Sequence, residues 1–500
     1  MRALATTAIE AAIEAGADWA DIRLGDQRRY GSDTAVTYSF GLRVRVGGIE
    51  AFVGGGDPTT DHLVRAARSA VATAREVARS NAGMPIGAVG LTPVPVVTDE
   101  WCAPIEVDPF AVSIDEHDHV KRSLNGVDDV RLAGLNVRRG FEYTFRAETR
   151  VNAASDGSLI TQALGDVVIH ENYIYKTNWR MRGSGERLRV PFAAYGSCTG
   201  GFEVIARQNR FAQVEQAAHE LLCYEALPSG TVDVGRYNVV FDGTAHAALV
   251  QSALVPSLSL RRVLGYDADL GGTSPWRPID EVFGHQLFSP ALSLEVDQGP
   301  PSFGAARWDA EGVTTLGGPL ITNGTLVNYL TSRATHVVLT SLMTSFLGER
   351  PAGHAAGGGP LLLGSTMASH ASDQPVECPG SLSVPAAVAG GTLEELAQQL
   401  GTGLLVRGGD TYVNPEGTGG RTFPMMMFEV KSGQLVRRLY GASLQFGTKK
   451  LFKSLKAVGN ASTLGERTQQ TWVGFPESWR ETSLTAPAAL YAGVDVLNNS

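Results

Sequence analysis

Apolar side chains recur every three to four positions across residues 2–16, so the chain is expected to open with an amphipathic helix ending at Gly16, which suits the left-handed position after a helix end. From Asp18 to Leu24 the period drops to two, the signature of a half-buried strand. Strands over 35–40, 41–46 and 50–53 follow, the last after a turn at Gly47 and Gly48. Residues 61–78 are rich in alanine with arginine on one side and predict a helix. Residues 83–107 hold several prolines and glycines and read as an extended connector. Asp108, Pro109 and Phe110 then cap a helix running to about Ser123. Alternation resumes over 129–138, 142–152 and 159–174, with a turn signal at Ser155 to Gly157, which predicts an antiparallel meander. A long helix is expected over 200–226, broken at Pro228 to Gly230.

The second half is organised around one stretch. A short strand, 237–241, leads through a turn and an N-cap expected at Gly243 and Thr244 into a helix whose residues from Ala245 to Val255 all suit burial. Pro256 stops it, because proline lacks the next amide donor and clashes with the preceding turn. Strands are then predicted at 292–296, 312–315, 319–321 and 325–331, again in antiparallel order, with Asn323 and Gly324 as a two-residue hairpin turn. Thr392 with Glu395 forms a capping box for a helix to Leu400. Residues 403–417 read as a strand, a bend at Gly408 and Gly409, and a second strand. Further strands lie at 425–430 and 435–440, and a basic amphipathic helix at 449–458. No repeat of fixed period is visible. The turn-rich segment from Pro228 to Val234 is the expected boundary between two domains, an α/β domain over 1–230 and a β-rich domain over 231–500. The fold class is therefore α+β, antiparallel sheets with flanking helices.

Composition narrows the function. A formal net charge of −9 disfavours broad nucleic-acid binding, which needs a basic face. The four cysteines, Cys102, Cys198, Cys223 and Cys378, show neither metal-ligand nor disulfide spacing, so a reducing cytoplasm is expected. No run of about eighteen apolar residues is present, so no membrane helix is expected. Glu10 and Glu14 mark the N-terminus as a first helix rather than a signal peptide.

Candidate chemistry is sparse. His246 opens the buried helix, where metallohydrolases place a zinc ligand followed at once by a glutamate base and, a turn later, by a second histidine. Those positions here hold Ala247 and Gln251. Alanine cannot accept a proton and glutamine is a poor zinc ligand, so a packed, structural histidine is the plainer account. His219, Glu220 and Cys223 share one face of the predicted long helix without matching a zinc motif. His354, in the Gly-rich loop 349–361, and His370 are further candidates, against the ordinary reading of exposed loop residues. The loop is no phosphate cradle, because no Gly-Lys-Ser/Thr follows.

Several segments in order resemble the TldD/PmbA (TldE) family of metallopeptidase subunits. The strand from Ala17 to Leu24 is similar to the family's first strand. Residues 41–46 with 50–53 are similar to its hairpin, and Trp101 with 108–110 to its connector. Trp308 to Val313, Asn323 to Leu330, Leu393 to Leu396, Gly403 to Val406, Gly408 with Gly409, and Val413 to Gly417 are similar to its C-terminal segments. The resemblance implies a pair of subunits, one carrying HExxxH and a late cysteine around zinc, the other lacking the ligands and shaping the substrate channel. HExxxH falls on His246 to Gln251, and no cysteine follows Cys378. One ligand of three cannot hold catalytic zinc. The resemblance thus implies no catalytic or metal residue and no cofactor in this chain. Zinc would sit in a TldD-like partner bearing HExxxH, the two forming a heterodimer. The substrate would be a peptide or small amide, with a natural-product pathway as one setting. Arg407, Gly408, Gly409 and Asp410 are the expected substrate-binding strand, with His354 beside them, because glycines admit a peptide backbone as an added strand. Two alternatives stay open: a self-sufficient hydrolase with a different histidine site, and a non-enzymatic binding module.

Overall fold

The computed structural model describes the chain except residues 32–34, 82–89, 125–126, 133–134, 177–187, 192–195, 208–218, 221–222, 225, 270, 348–359, 475–477 and 499–500. Among the described residues three large sheets carry the fold. The α+β architecture expected from the alternating periods is what is observed.

The N-terminal sheet has nine strands and a central ladder of Ile49–Gly56, Ala35–Val46, Trp19–Tyr30, Leu135–Ala154, Leu159–Lys176 and Thr98–Cys102. Alternation puts Ile22, Leu24, Phe40, Leu42 and Val44 on one face, where helices Arg2–Glu14 and Thr60–Ser80 cover them with Ala5, Ala8, Leu63 and Ala70. The small alanines let the helices approach closely while removing apolar surface from water. The other face is polar: Asp21, Arg23, Arg43, Glu148, Arg150 and Gln162 are buried there. Charges can be buried only when paired or hydrogen-bonded. Arg43 pairs with Asp21 and with Glu311 of the C-terminal half. Arg23 donates to the Ala310 and Asp373 carbonyls at 3.2 and 2.7 Å. Gln162 donates to the Trp308 carbonyl at 2.9 Å and Gln27 to the Ser369 carbonyl at 3.0 Å. The polar face is therefore the seam between the halves.

The C-terminal half holds an eight-stranded and a six-stranded sheet. The first runs through Gln434–Tyr440, Gly419–Lys431, Gly403–Val413, Gly235–Phe241 and Ala489–Asn498. The second ends in the hairpin of Gly465–Val473 and Ser478–Ala486, whose first strand is the sheet edge. Helix Gly243–Ala253 packs on strands from both sheets, and the main core forms around it from Phe241, Leu249, Val250, Trp276, Leu292, Tyr329, Phe452 and Tyr491.

Several expectations are corrected. Residues 35–46 form one strand, not two, and Leu135–Ala154 crosses the break expected near 140. Residues 312–315 form no strand, and the strand at 325 stops at Leu326. The basic helix ends at Lys453, because Leu455–Val458 pairs with the strand at 489–491 instead. The sheets are not purely antiparallel: 98–102, 229–231, 239–241 and 381–383 each join a parallel partner. Of the helix expected over 200–226, Phe202–Ala206 is observed and 219–220, 223–224 and 226 are helical, while 208–218, 221–222 and 225 lie outside the described residues.

Candidate functional site

Helix Gly243–Ala253 begins two residues earlier than its turn signals suggested. Asp242, not Thr244, is the N-cap, and its carboxylate accepts from the Ala245 amide at 2.8 Å. The same oxygen accepts from the Gly408 amide at 3.0 Å. Carboxylates satisfy orphan amides at a helix start and are favoured by its dipole. Arg407 closes the network, 2.9 Å from Glu220 and 3.5 Å from Asp242. Burial pulls its proton affinity down, but the two carboxylates outweigh this and raise it.

His246 is fully buried one turn in. Its Nδ1 donates to the Pro487 carbonyl at 2.8 Å, and its Nε2 accepts from the Tyr491 hydroxyl at 3.0 Å. The carbonyl can only accept, which fixes the tautomer. Burial lowers its pKa to about 4, with the Pro487 hydrogen bond opposing. The ring is thus neutral, with no lone pair left for a metal. Ala247 is packed in the core. Gln251, fully buried, donates to the Thr482 carbonyl, and its Oε1 has no partner among the described residues. Thr482 also touches Cys378, whose Sγ lies 3.2 Å from its hydroxyl and whose proton affinity burial raises. One orphan amide oxygen does not make a zinc site. Among the described residues no three His, Cys, Asp or Glu side chains gather to hold a metal. The residues present do not fit the zinc that an HExxxH helix would carry.

A cleft of about 580 Å³ opens where this helix ends. Ser252, Pro256 and Ser257 form one end, 410–414 one wall, and Gln469 to Trp472 with Trp479 the other. Two features suit it to an extended chain. Beyond Val406, strand Gly403–Val413 keeps its partner at 419–431 but has none on its second side among the described residues. Among the described residues, strand Gly465–Val473 pairs only with Ser478–Ala486. Asp410 pairs with Arg467 across the inner end. At the outer end the rings of Trp472 and Trp479, directly opposite in the hairpin, sit 4.6 Å apart and are 43% and 53% exposed.

The expected substrate-binding residues are thus separated. Asp410 lines the cleft, while Arg407 and Gly408 hold the helix start from behind. Gly408 and Gly409 take φ of 57° and 144° without breaking register, so the stretch is one strand rather than a bend. His354 lies outside the described residues. Glu220 is committed to Arg407, and His219 touches Cys223 at an exposed position. Sequence reasoning missed Trp472 and Trp479; their signal was two aromatics flanking a glycine turn in the last hairpin.

Glu466, also on the edge strand, is half-buried beside Ser197 and accepts from Ser483 and Thr468. Burial raises its pKa from 4.5 to about 7, although those bonds and the Ser197 amide oppose it. The folded state therefore binds this proton more tightly than the unfolded chain. The stability it contributes is complete below pH 4.5 and is lost as pH rises through about 7. Wild type should lose roughly 2–3 kcal/mol from this group between about pH 5 and 8, at ~1.4 kcal/mol per unit. Glu466→Gln should flatten that slope in urea titrations; an unchanged slope would refute the assignment.

Fold and helix together define a class: a two-half α+β protein whose C-terminal half packs two sheets on one buried helix. A family model described as PmbA/TldA metallopeptidase C-terminal domain matches residues 234–497, more than half of the chain. The chain belongs to the PmbA/TldD family. It is 25% identical over 324 residues to a protein called a metalloprotease from Methanothermobacter thermautotrophicus, covering 62% of this chain and 60% of that relative's length. Its fold is similar to TldE from Thermococcus kodakarensis, at 15% identity and TM-score 0.69 over 99% of this chain and 100% of that one. It is also similar to a proposed modulator of a DNA gyrase from Thermotoga maritima, at 14% identity and TM-score 0.68 over 99% of both chains.

Proposed function

We propose that this chain is the metal-free, TldE-like subunit of a two-subunit metallopeptidase or amide hydrolase. A TldD-like partner with an intact HExxxH helix would hold the zinc and the general base, and this chain would line the substrate channel. The observation that carries the reading is His246: both ring nitrogens are engaged, by the Pro487 carbonyl and the Tyr491 hydroxyl. Ala247 and Gln251 supply neither base nor ligand. The cleft beside the helix, bounded by two strands with open edges, suits an extended peptide or a peptide-like amide, including one made in a natural-product pathway.

The test is co-expression with an HExxxH relative encoded beside it, measuring complex formation, zinc content and hydrolysis with and without this chain. One zinc per pair, retained by the partner alone, and hydrolysis only by the pair support the reading. Near-stoichiometric zinc on this chain alone refutes it. A sharper version restores the motif with Ala247→Glu and Gln251→His. The double variant should take up no zinc in equilibrium dialysis, because His246 Nε2 stays bonded to Tyr491 and the third ligand is missing.

A further inference from the structure

We propose that a pocket on the far side of the Trp472–Trp479 hairpin captures a carboxylate, carried by a ligand whose apolar part rests on Trp479. The pocket encloses about 140 Å³ between the polar face of the N-terminal sheet and the hairpin, and shares Gln470 and Trp479 with the larger cleft. Its floor holds Arg29 and Arg146, which face each other in the ladder of strands Trp19–Tyr30 and Leu135–Ala154. Like charges directly opposite repel, and a fold that keeps such a pair needs an anion beside it. Glu481 supplies one, bonded to Arg146. Asp166, next to Arg146 on the same rung, is held by the Thr199 hydroxyl at 3.0 Å and the Gly304 amide at 3.1 Å.

Arg29 has no ion pair or hydrogen bond among the described residues. Its Nε is buried without an acceptor, and so is the Nε of Arg146. Two buried donors on adjacent guanidinium groups need oxygens, because an unmet buried donor keeps its full desolvation penalty. A carboxylate presents two coplanar oxygens, the geometry a guanidinium binds in bidentate fashion. Thr144 and exposed His370 complete the rim. Trp479, half exposed over the opening, offers a ring face to the remainder of the ligand. A peptide ending in a free carboxylate, its preceding residues in the cleft, fits both spaces.

The pocket deepens the channel-lining role proposed above by naming the group the substrate carries. Its test uses this chain alone, so its failure is separate from a failure to find the metal-bearing partner. N-acetylphenylalanine and its uncharged amide are titrated into the full chain by calorimetry. The acid should bind at least tenfold more tightly than the amide. Arg29→Gln should abolish that preference while leaving the melting temperature within a few degrees. Arg29→Lys should retain part of it. Trp479→Leu should weaken both ligands and keep the preference for the acid. Equal binding of acid and amide overturns the proposal. So does an acid preference that survives Arg29→Gln, or inorganic phosphate displacing the acid at equal concentration.

Discussion

Arg407→Ala should cost about 3 kcal/mol of stability, the low end of the range for breaking a buried ion pair from one side. The guanidinium lies between Glu220 and Asp242, and 22% of its side chain remains exposed, which moderates the loss. Removing it strands two carboxylates, one of them the cap of helix Gly243–Ala253. Arg407→Lys should recover part of the loss, since an ammonium can satisfy only one partner well. The measurement is the urea midpoint at constant m-value. A shift worth less than about 1 kcal/mol would show that the network is no anchor.

Gly243→Ala should be more damaging still. A methyl group there would meet the Gly465 amide, the Thr463 carbonyl and, at 2.7 Å, the Ala486 carbonyl. All three are backbone atoms, two in the hairpin strands and Thr463 in the turn leading into them, so relief requires moving that hairpin off the helix. The cost should exceed about 4 kcal/mol, the scale of severe core disruption. The expected readout is insoluble expression or a melting temperature lower by at least ten degrees. Gly299→Ala is the control: a methyl group there meets nothing within 4 Å, and the change should stay within about 0.5 kcal/mol. If both variants melt alike, the helix and the sheet are not in the contact described.

Local chemistry was well expressed in the sequence. The capping box at Thr392 and Glu395 forms as written, and Asn323 and Gly324 take φ of 46° and 79°, as a tight hairpin turn needs. Gly16 takes φ of 98° just past the first helix. What could not be read is pairing at long range. Strand Ser229–Thr231 joins residues 438–440 in parallel, a register fixed by tertiary burial and invisible in either segment alone. The same limit applied at the site. The apolar neighbours of His246 announced burial, but the hydroxyl that occupies its Nε2 lies on Tyr491, at the other end of the half. Gly408 and Gly409 suggested a bend because nothing nearby reveals that the Asp242 carboxylate holds the Gly408 amide in the strand.

The seam between the halves bears on how the chain is made. Arg23, Gln27 and Gln162 donate to carbonyls in residues 308–373, and Arg43, already paired with Asp21, gains its second carboxylate from Glu311 there. On a ribosome adding about 5–20 residues per second, the first sheet would wait roughly ten to forty seconds with Arg23 facing water before its acceptors emerge. A nascent chain paused near residue 250 should therefore be protease-sensitive over the first sheet, and become resistant once synthesis has passed residue 373.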